Sequence, residues 1–200
     1  MFSKQFLFDK DARQALLKGV GVLAKAVTIT LGPRSHNVAL DKKWGAPNVI
    51  HDGVQIADEI FLEDPFENMG AQLVKEAASK TNDKSGDGTT TATLLAYELI
   101  DGGQKLLDDN LNPMAIQEGM QIAVKEIAEK LRKRSTAISS QEDFIKIATI
   151  SAQKPELGKL IGEAVHKVGK EGTVDVQEGP ATTTVVEYKE GFEIEKGFAN

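Results

Sequence analysis

Gly86-Asp87-Gly88-Thr89-Thr90-Thr91-Ala92-Thr93 stands directly before an apolar stripe at Ala92, Leu95, Leu99 and Leu106. Spacing of three and four marks a helix, so the glycines lie at its start. Glycine lets backbone approach a ligand closely. A helix N-terminus adds unpaired N–H groups and the positive end of the dipole. Three consecutive hydroxyls can donate to phosphate oxygens, and Asp87 supplies the hard oxygen that Mg2+ takes beside a phosphate. Together these features suit a nucleoside triphosphate. A glycine turn capped by threonines has the same signature, and spacing alone does not choose between the two.

Two further loops carry similar chemistry. Ala12, Leu16, Val20, Leu23 and Val27 form one helical face. That helix is expected to stop near Gly32-Pro33, where Leu31-Gly32-Pro33 can present backbone groups to the same ligand. Residues 36–41 and 48–51 read as short extended segments joined through Gly45 and Pro47. His51-Asp52-Gly53 follows them. Asp52 can orient an attacking water, and Gly53 can admit a phosphate. Each loop also reads as ordinary punctuation, a C-cap and a strand-to-helix turn.

The remaining pattern is mainly helical with small β elements. Phe66, Met69, Leu73 and Ala77 mark a helix that Ser85-Gly86-Asp87-Gly88 interrupts. Asn112-Pro113 opens another, with Ile116, Met120, Ala123, Ile127 and Leu131 on its apolar face. The four helices up to Arg134 are expected to share one core. Ser139 and Glu142 fit a capping box for a helix through Ile150. Pro155 opens the next helix, and Gly169 stops it. From Thr173 the β-branched residues predict strands over 173–177, 182–189 and 192–194. The alternation from Gly191 to Asn200 lacks a strand partner, so the chain is expected to be cut short.

Composition narrows the function. The 200 residues carry 24 Lys and Arg against 30 Asp and Glu, a net charge of −6, which disfavours a general nucleic-acid binder. With no cysteine and three scattered histidines, thiolate chemistry is excluded and a zinc site is disfavoured. The longest run free of charged residues, Gly88 to Tyr97, is far short of the ~20 apolar residues of a membrane span. No apolar signal core opens the chain. The expected setting is the cytoplasm. Gly19-Val20-Gly21 mimics a dinucleotide fingerprint but lies inside a helical stripe. No P-loop sequence occurs. Lys130, Arg132, Lys133 and Arg134 end a helix, where cations suit the dipole.

These residues resemble the group I chaperonins, the GroEL type. Asp11-Ala12-Arg13, Ala26 to Pro33, Leu62 to Gln72, Gly86 to Thr91, Asn112-Pro113-Met114, Ile150-Ser151-Ala152 and Val168 to Gly172 all carry the likeness. The resemblance implies an N-terminal fragment of a longer subunit. Residues 1–134 would be the first half of a helical equatorial ATP-binding domain, and 135–190 the first half of an α/β intermediate domain. Residues 191–200 would begin an apical domain. It also implies an ATP-dependent chaperone that folds client polypeptides in a ring-shaped chamber of the bacterial cytoplasm. That chamber would be a double seven-membered homo-oligomeric ring, closed by a GroES-type lid, and the isolated fragment is expected to be inactive. No membrane or nucleic-acid partner is expected.

Site roles follow from the same resemblance. Thr30, Leu31, Gly32 and Pro33 would lie along ATP. His51, Asp52 and Gly53 would form a second phosphate-side turn, with Asp52 catalytic. Gly86, Gly88, Thr89, Thr90 and Thr91 would cradle phosphate, and Asp87 would hold Mg2+. A K+ ion is implied near Thr30 and Thr90. His51 stands where the family usually has lysine, Arg34-Ser35-His36 replaces Lys-Gly-Arg, and Gln153-Lys154-Pro155 replaces a segment with an acidic residue. An unrelated ATPase or kinase with a glycine–threonine phosphate loop is the alternative.

Overall fold

A computed structural model describes residues 4–42, 44–169, 171–177, 179 and 183–191. The expected strand at 192–194, and all of the expected apical start beyond Gly191, lie outside the described residues. The fold is mainly α with a small two-stranded sheet. The elements in order are α1 (Asp9–Thr28), β1 (Val38–Leu40), β2 (Asn48–Ile50), α2 (Gly53–Glu59), α3 (Pro65–Ser85), α4 (Thr89–Asp108), α5 (Pro113–Arg134), α6 (Gln141–Ala152) and α7 (Pro155–Val168). The chain divides into two compact units, Met1–Lys130 and Leu131–Asn200.

In the first unit, α1 packs against α3 and α4, and α2 touches all three. The core joins Val20, Leu23 and Val27 of α1 to Ile56 and Ala57 of α2 and to Ala71 and Val74 of α3, with Ile50 of β2 closing it. Helices α1 and α3 approach backbone to backbone. A Cβ on Gly19 would overlap the Glu67 carbonyl, and one on Gly70 would overlap that of Leu16. Lys18 and Glu67 form an ion pair beside this crossing. Asp64 caps α3, its Oδ1 accepting from the amides of Phe66 at 2.8 Å and Glu67 at 3.0 Å. Lys75 ties α3 to the end of α2. Its Nζ lies 3.2 Å from Asp58 Oδ1 and 5.3 Å from the Phe61 ring centre. Strands β1 and β2 pair antiparallel, Val38 opposite Ile50 and Leu40 opposite Asn48.

Two expectations for this unit change. Helix α1 ends at Thr28 rather than near Gly32-Pro33, because the chain turns at once: the amides of Thr30 and Leu31 bond to Val27 and Thr28 carbonyls at 3.1 and 3.0 Å. The stripe on α5 does not join a shared four-helix core. Ile116 and Met120 are half-buried, Met120 against Gly103 of α4, but Ile127 and Leu131 are exposed and α5 has no buried residue. Periodicity identifies an apolar face but not what covers it. At the start of α5, Asn112 Oδ1 accepts the Met114 amide at 2.9 Å, as its cap position predicts.

In the second unit, α6 and α7 form a tight hairpin. A Cβ on Gly158 or Gly162 would overlap the α6 backbone at Thr149 or Ile145. The capping box belongs to Ser140 and Asp143, one residue beyond the expected Ser139 and Glu142. Ser140 Oγ accepts the Asp143 amide at 3.2 Å, and the Asp143 carboxylate accepts the Ser140 amide at 3.3 Å. Among the described residues, 173–177 and 183–191 form no strand. Their β-branched side chains raise β propensity, but a strand also needs a hydrogen-bonding partner.

Gly70→Ala should destabilise the first unit by about 1–3 kcal/mol through overpacking. Gly102→Ala, in a helix with nothing within 4 Å of the added Cβ, should stabilise it by about 0.5–1 kcal/mol. Urea unfolding decides, and shifts of the same sign in both would refute the close helix crossing. In the second unit, the Ser140 hydroxyl and amide hold the Asp143 carboxyl below the usual carboxylate range. Such a group stabilises above its unfolded pKa, and that stability is lost as pH falls through the folded value. Asp143→Asn should therefore flatten the acid side of the unit's stability profile, read by circular dichroism against pH.

Candidate functional site

Helix α3 ends because Gly86 turns left-handed, at φ 66°, with its amide donating to Asn82 O at 2.8 Å. Gly88 is left-handed as well, at φ 81°. A Cβ on either would meet nothing within 4 Å, so backbone conformation rather than crowding calls for glycine here. Between them Asp87 Oδ1 accepts the Gly88 amide at 2.6 Å. Helix α4 then starts with Gly88 as its cap, a residue with no side chain to occupy the first amides. Those N–H groups are the donors an anion needs.

The threonines that follow do not act as three parallel hydroxyls. Successive helical residues are turned by about 100°. Thr89 is buried, Thr90 half-buried and Thr91 exposed. Thr93, fully buried, donates its hydroxyl to Thr89 O at 2.9 Å.

Thr90 is where three loops meet. Its Oγ1 lies 3.4 Å from Thr30 Oγ1. Thr30 already donates its proton to Val27 O at 2.8 Å, so Thr90 is the donor between the two hydroxyls. From the other side, Gly53 presses on the same residue. A Cβ there would overlap Thr90 Oγ1 and lie 3.2 Å from Thr90 N and 3.1 Å from Val27 Cγ1. Beyond Thr30 the first loop turns through Gly32, at φ 87°, with the Ser35 amide bonded to Gly32 O at 3.1 Å and the His36 amide to Ile29 O at 3.0 Å. Leu31, Gly32 and Pro33 are exposed on it.

Asp52 caps α2, its Oδ2 accepting the Gln55 amide at 3.1 Å. Its carboxylate is exposed, next to the Gly53 contact. Half-buried His51 places Nδ1 3.1 Å from Asn37 Oδ1. The structure thus brings Thr30, Gly53 and Thr90 into contact. Asp52 and Asp87 flank that junction along the chain, one residue before Gly53 and three before Thr90.

Asp87 suits a hard cation. It is exposed, and the Gly88 amide engages only one of its oxygens, so carboxylate lone pairs remain. Among the described residues no group of three or more His, Cys, Asp or Glu gathers to hold a metal. A cation at Asp87 would take its other ligands from phosphate oxygens and water, the habit of Mg2+. Asn37 and Gln55 also belong to the site, through His51 and Asp52. The Asp52-x-x-Gln55 spacing of an N-cap was the available signal for the second. Only the hairpin register reveals the first.

The sequence model of the TCP-1/cpn60 chaperonin family matches residues 23–199. The chain is 50% identical to the chaperonin GroEL of Acholeplasma laidlawii over 196 residues, 98% of this chain. It is 46% identical to the chaperonin GroEL of Onion yellows phytoplasma over 198 residues, 99% of this chain. It spans 37% of the length of each relative.

Gly53→Ala should force α2 and α4 apart at Thr90 and lower stability by about 1–3 kcal/mol. Thermal unfolding of the variant checks this. An unchanged midpoint would show that the Gly53 contact with Thr90 is not made.

Proposed function

The chain belongs to the TCP-1/cpn60 chaperonin family, and from that premise we propose that it carries the phosphate- and metal-binding part of an ATP-driven protein-folding machine. The observation that carries the reading is the meeting of three loops at the uncapped start of α4. The first-turn amides of α4 and the Thr91 hydroxyl hold phosphate oxygens. The turn at Gly32 lies along the nucleotide, and Gly53 seats the second loop against Thr90 beside the phosphates. Asp87 holds Mg2+, which neutralises phosphate charge when bound. A K+ ion beside the Thr30 and Thr90 hydroxyls would add to that. Asp52 orients the attacking water and His51 contributes to the same turn. The chain's part in hydrolysis is positioning and charge complementarity, with no covalent intermediate on the protein.

In the whole protein, residues 1–134 belong to the equatorial ATPase domain, 135–190 to the intermediate domain, and 191–200 start the apical domain. The chemistry acts on ATP and not on the client. It biases domains between states that open or close a folding chamber. Unfolded polypeptides are the clients, a GroES-type protein the lid, a double seven-membered ring the assembly and the cytoplasm the place. The 200-residue chain alone turns over little ATP. Within it, no helix among the described residues is long and apolar enough to cross a membrane. No observation favours an unrelated ATPase or kinase.

Equilibrium dialysis with labelled ATP tests the roles. Asp87→Ala should abolish the Mg2+-dependent part of ATP binding, a loss of tenfold or more. Asp52→Ala should keep binding within about twofold, because its carboxylate acts on water. Unchanged Mg2+ dependence in Asp87→Ala would refute the metal role. Lost binding in Asp52→Ala would refute the assignment to water.

A further inference from the structure

A side-chain hydrogen bond joins two of the three site loops. Asn37 precedes β1 by one residue and His51 follows β2 by one residue. With Val38 opposite Ile50 as the last pair, the two stand one position beyond it, at the open end of the hairpin. A hairpin of three pairs is marginal by itself and frays from that end. There His51 Nδ1 and Asn37 Oδ1 stand 3.1 Å apart. On one side the pair is tied to the first loop, because the His36 amide bonds to Ile29 O at 3.0 Å and Ile29 adjoins Thr30. On the other, His51 leads into Asp52, which caps α2 through the Gln55 amide.

We propose that Asn37 and His51 form a clasp that sets the spacing between the Thr30–Pro33 loop and the Asp52–Gly53 turn. Both are positioning residues for the ligand held there. The carboxamide oxygen only accepts, so the ring donates from Nδ1–H. The clasp thereby selects one imidazole tautomer and holds the ring across the mouth of the hairpin. The clasp is independent of what the loops bind. Its service to a triphosphate rests on the preceding functional reading.

Amide hydrogen exchange and imidazole NMR on the full 200-residue chain test the proposal. Asn37→Ala should speed exchange at His36, Gln55 and Ile56 together by about three- to tenfold, the worth of one such bond. Exchange at Val74 in α3 should stay unchanged. His51→Ala should match this, the double variant should be no worse than either single one, and His51→Gln, which keeps a donor, should restore protection. The ring carbon and nitrogen shifts of His51 should report the Nδ1–H form in the parent and lose it in Asn37→Ala. Additive effects, or unchanged exchange in both loops, would overturn the clasp. Mg-ATP titrated into parent and Asn37→Ala should bind three- to tenfold more weakly to the variant. Equal affinity would overturn the positioning role. A parent that binds no Mg-ATP would sink the nucleotide reading, while the exchange result would still decide the clasp.

Discussion

Gly53 has no Cβ, and the candidate site depends on that missing atom. Its backbone rests against Thr90, and Thr90 in turn gives its hydroxyl to Thr30. Loops that are far apart in sequence are thereby held at one point, the first turn of α4. Each bond in this junction is modest, about 0.5–1.5 kcal/mol net for a hydrogen bond. The junction holds because the core lies directly beneath it. Val27, fully buried, touches the Gly53 position and also accepts the Thr30 hydroxyl through its carbonyl. Packing of α1 against α3, which needs glycine at 19 and 70, therefore determines where the three candidate-site loops stand.

The same junction explains the division of labour among polar groups. Threonine hydroxyls at 30, 90 and 93 are spent inside the fold, on carbonyls and on each other. The groups left for an anion, its metal and water are backbone amides at an uncapped helix start, the exposed Thr91 and two exposed carboxylates, while the Thr30 and Thr90 oxygens keep lone pairs. An anion site made mostly of backbone is rigid, since its donors move only if the helix moves. That suits a reaction in which the protein positions charge and water but forms no bond of its own.

Local signals in the sequence were easy to read where a single residue type decides a local geometry. Gly86 and Gly88 take left-handed φ, Asn112 caps α5, and Gly169 ends α7. The hairpin was legible from two extended segments around Gly45 and Pro47. A helix after the Asp52-Gly53 turn was legible, but its extent was not, because seven residues are too few to establish a period. The α6 capping box was misplaced by one residue because Ser139 and Ser140 both precede acids at the right distance. The stripe on α5 and the β-branched run after Thr173 show a further limit: pattern reports a face or a propensity, and only a partner decides burial or pairing. The site loops were legible one by one. Their meeting at Thr90 leaves no periodic trace across sixty residues; only the family resemblance, which puts one K+ ion near Thr30 and Thr90, pointed to it.

A single nucleotide bound at the start of α4 must touch all three loops together. Titrating Mg-ATP into the nitrogen-labelled chain and following its amide resonances measures this directly. Gly32, Gly53, Gly88, Thr90 and Thr91 should shift along a single binding curve with one dissociation constant. Shifts confined to one loop, or resonances at these five positions that stay still while others move, would contradict it.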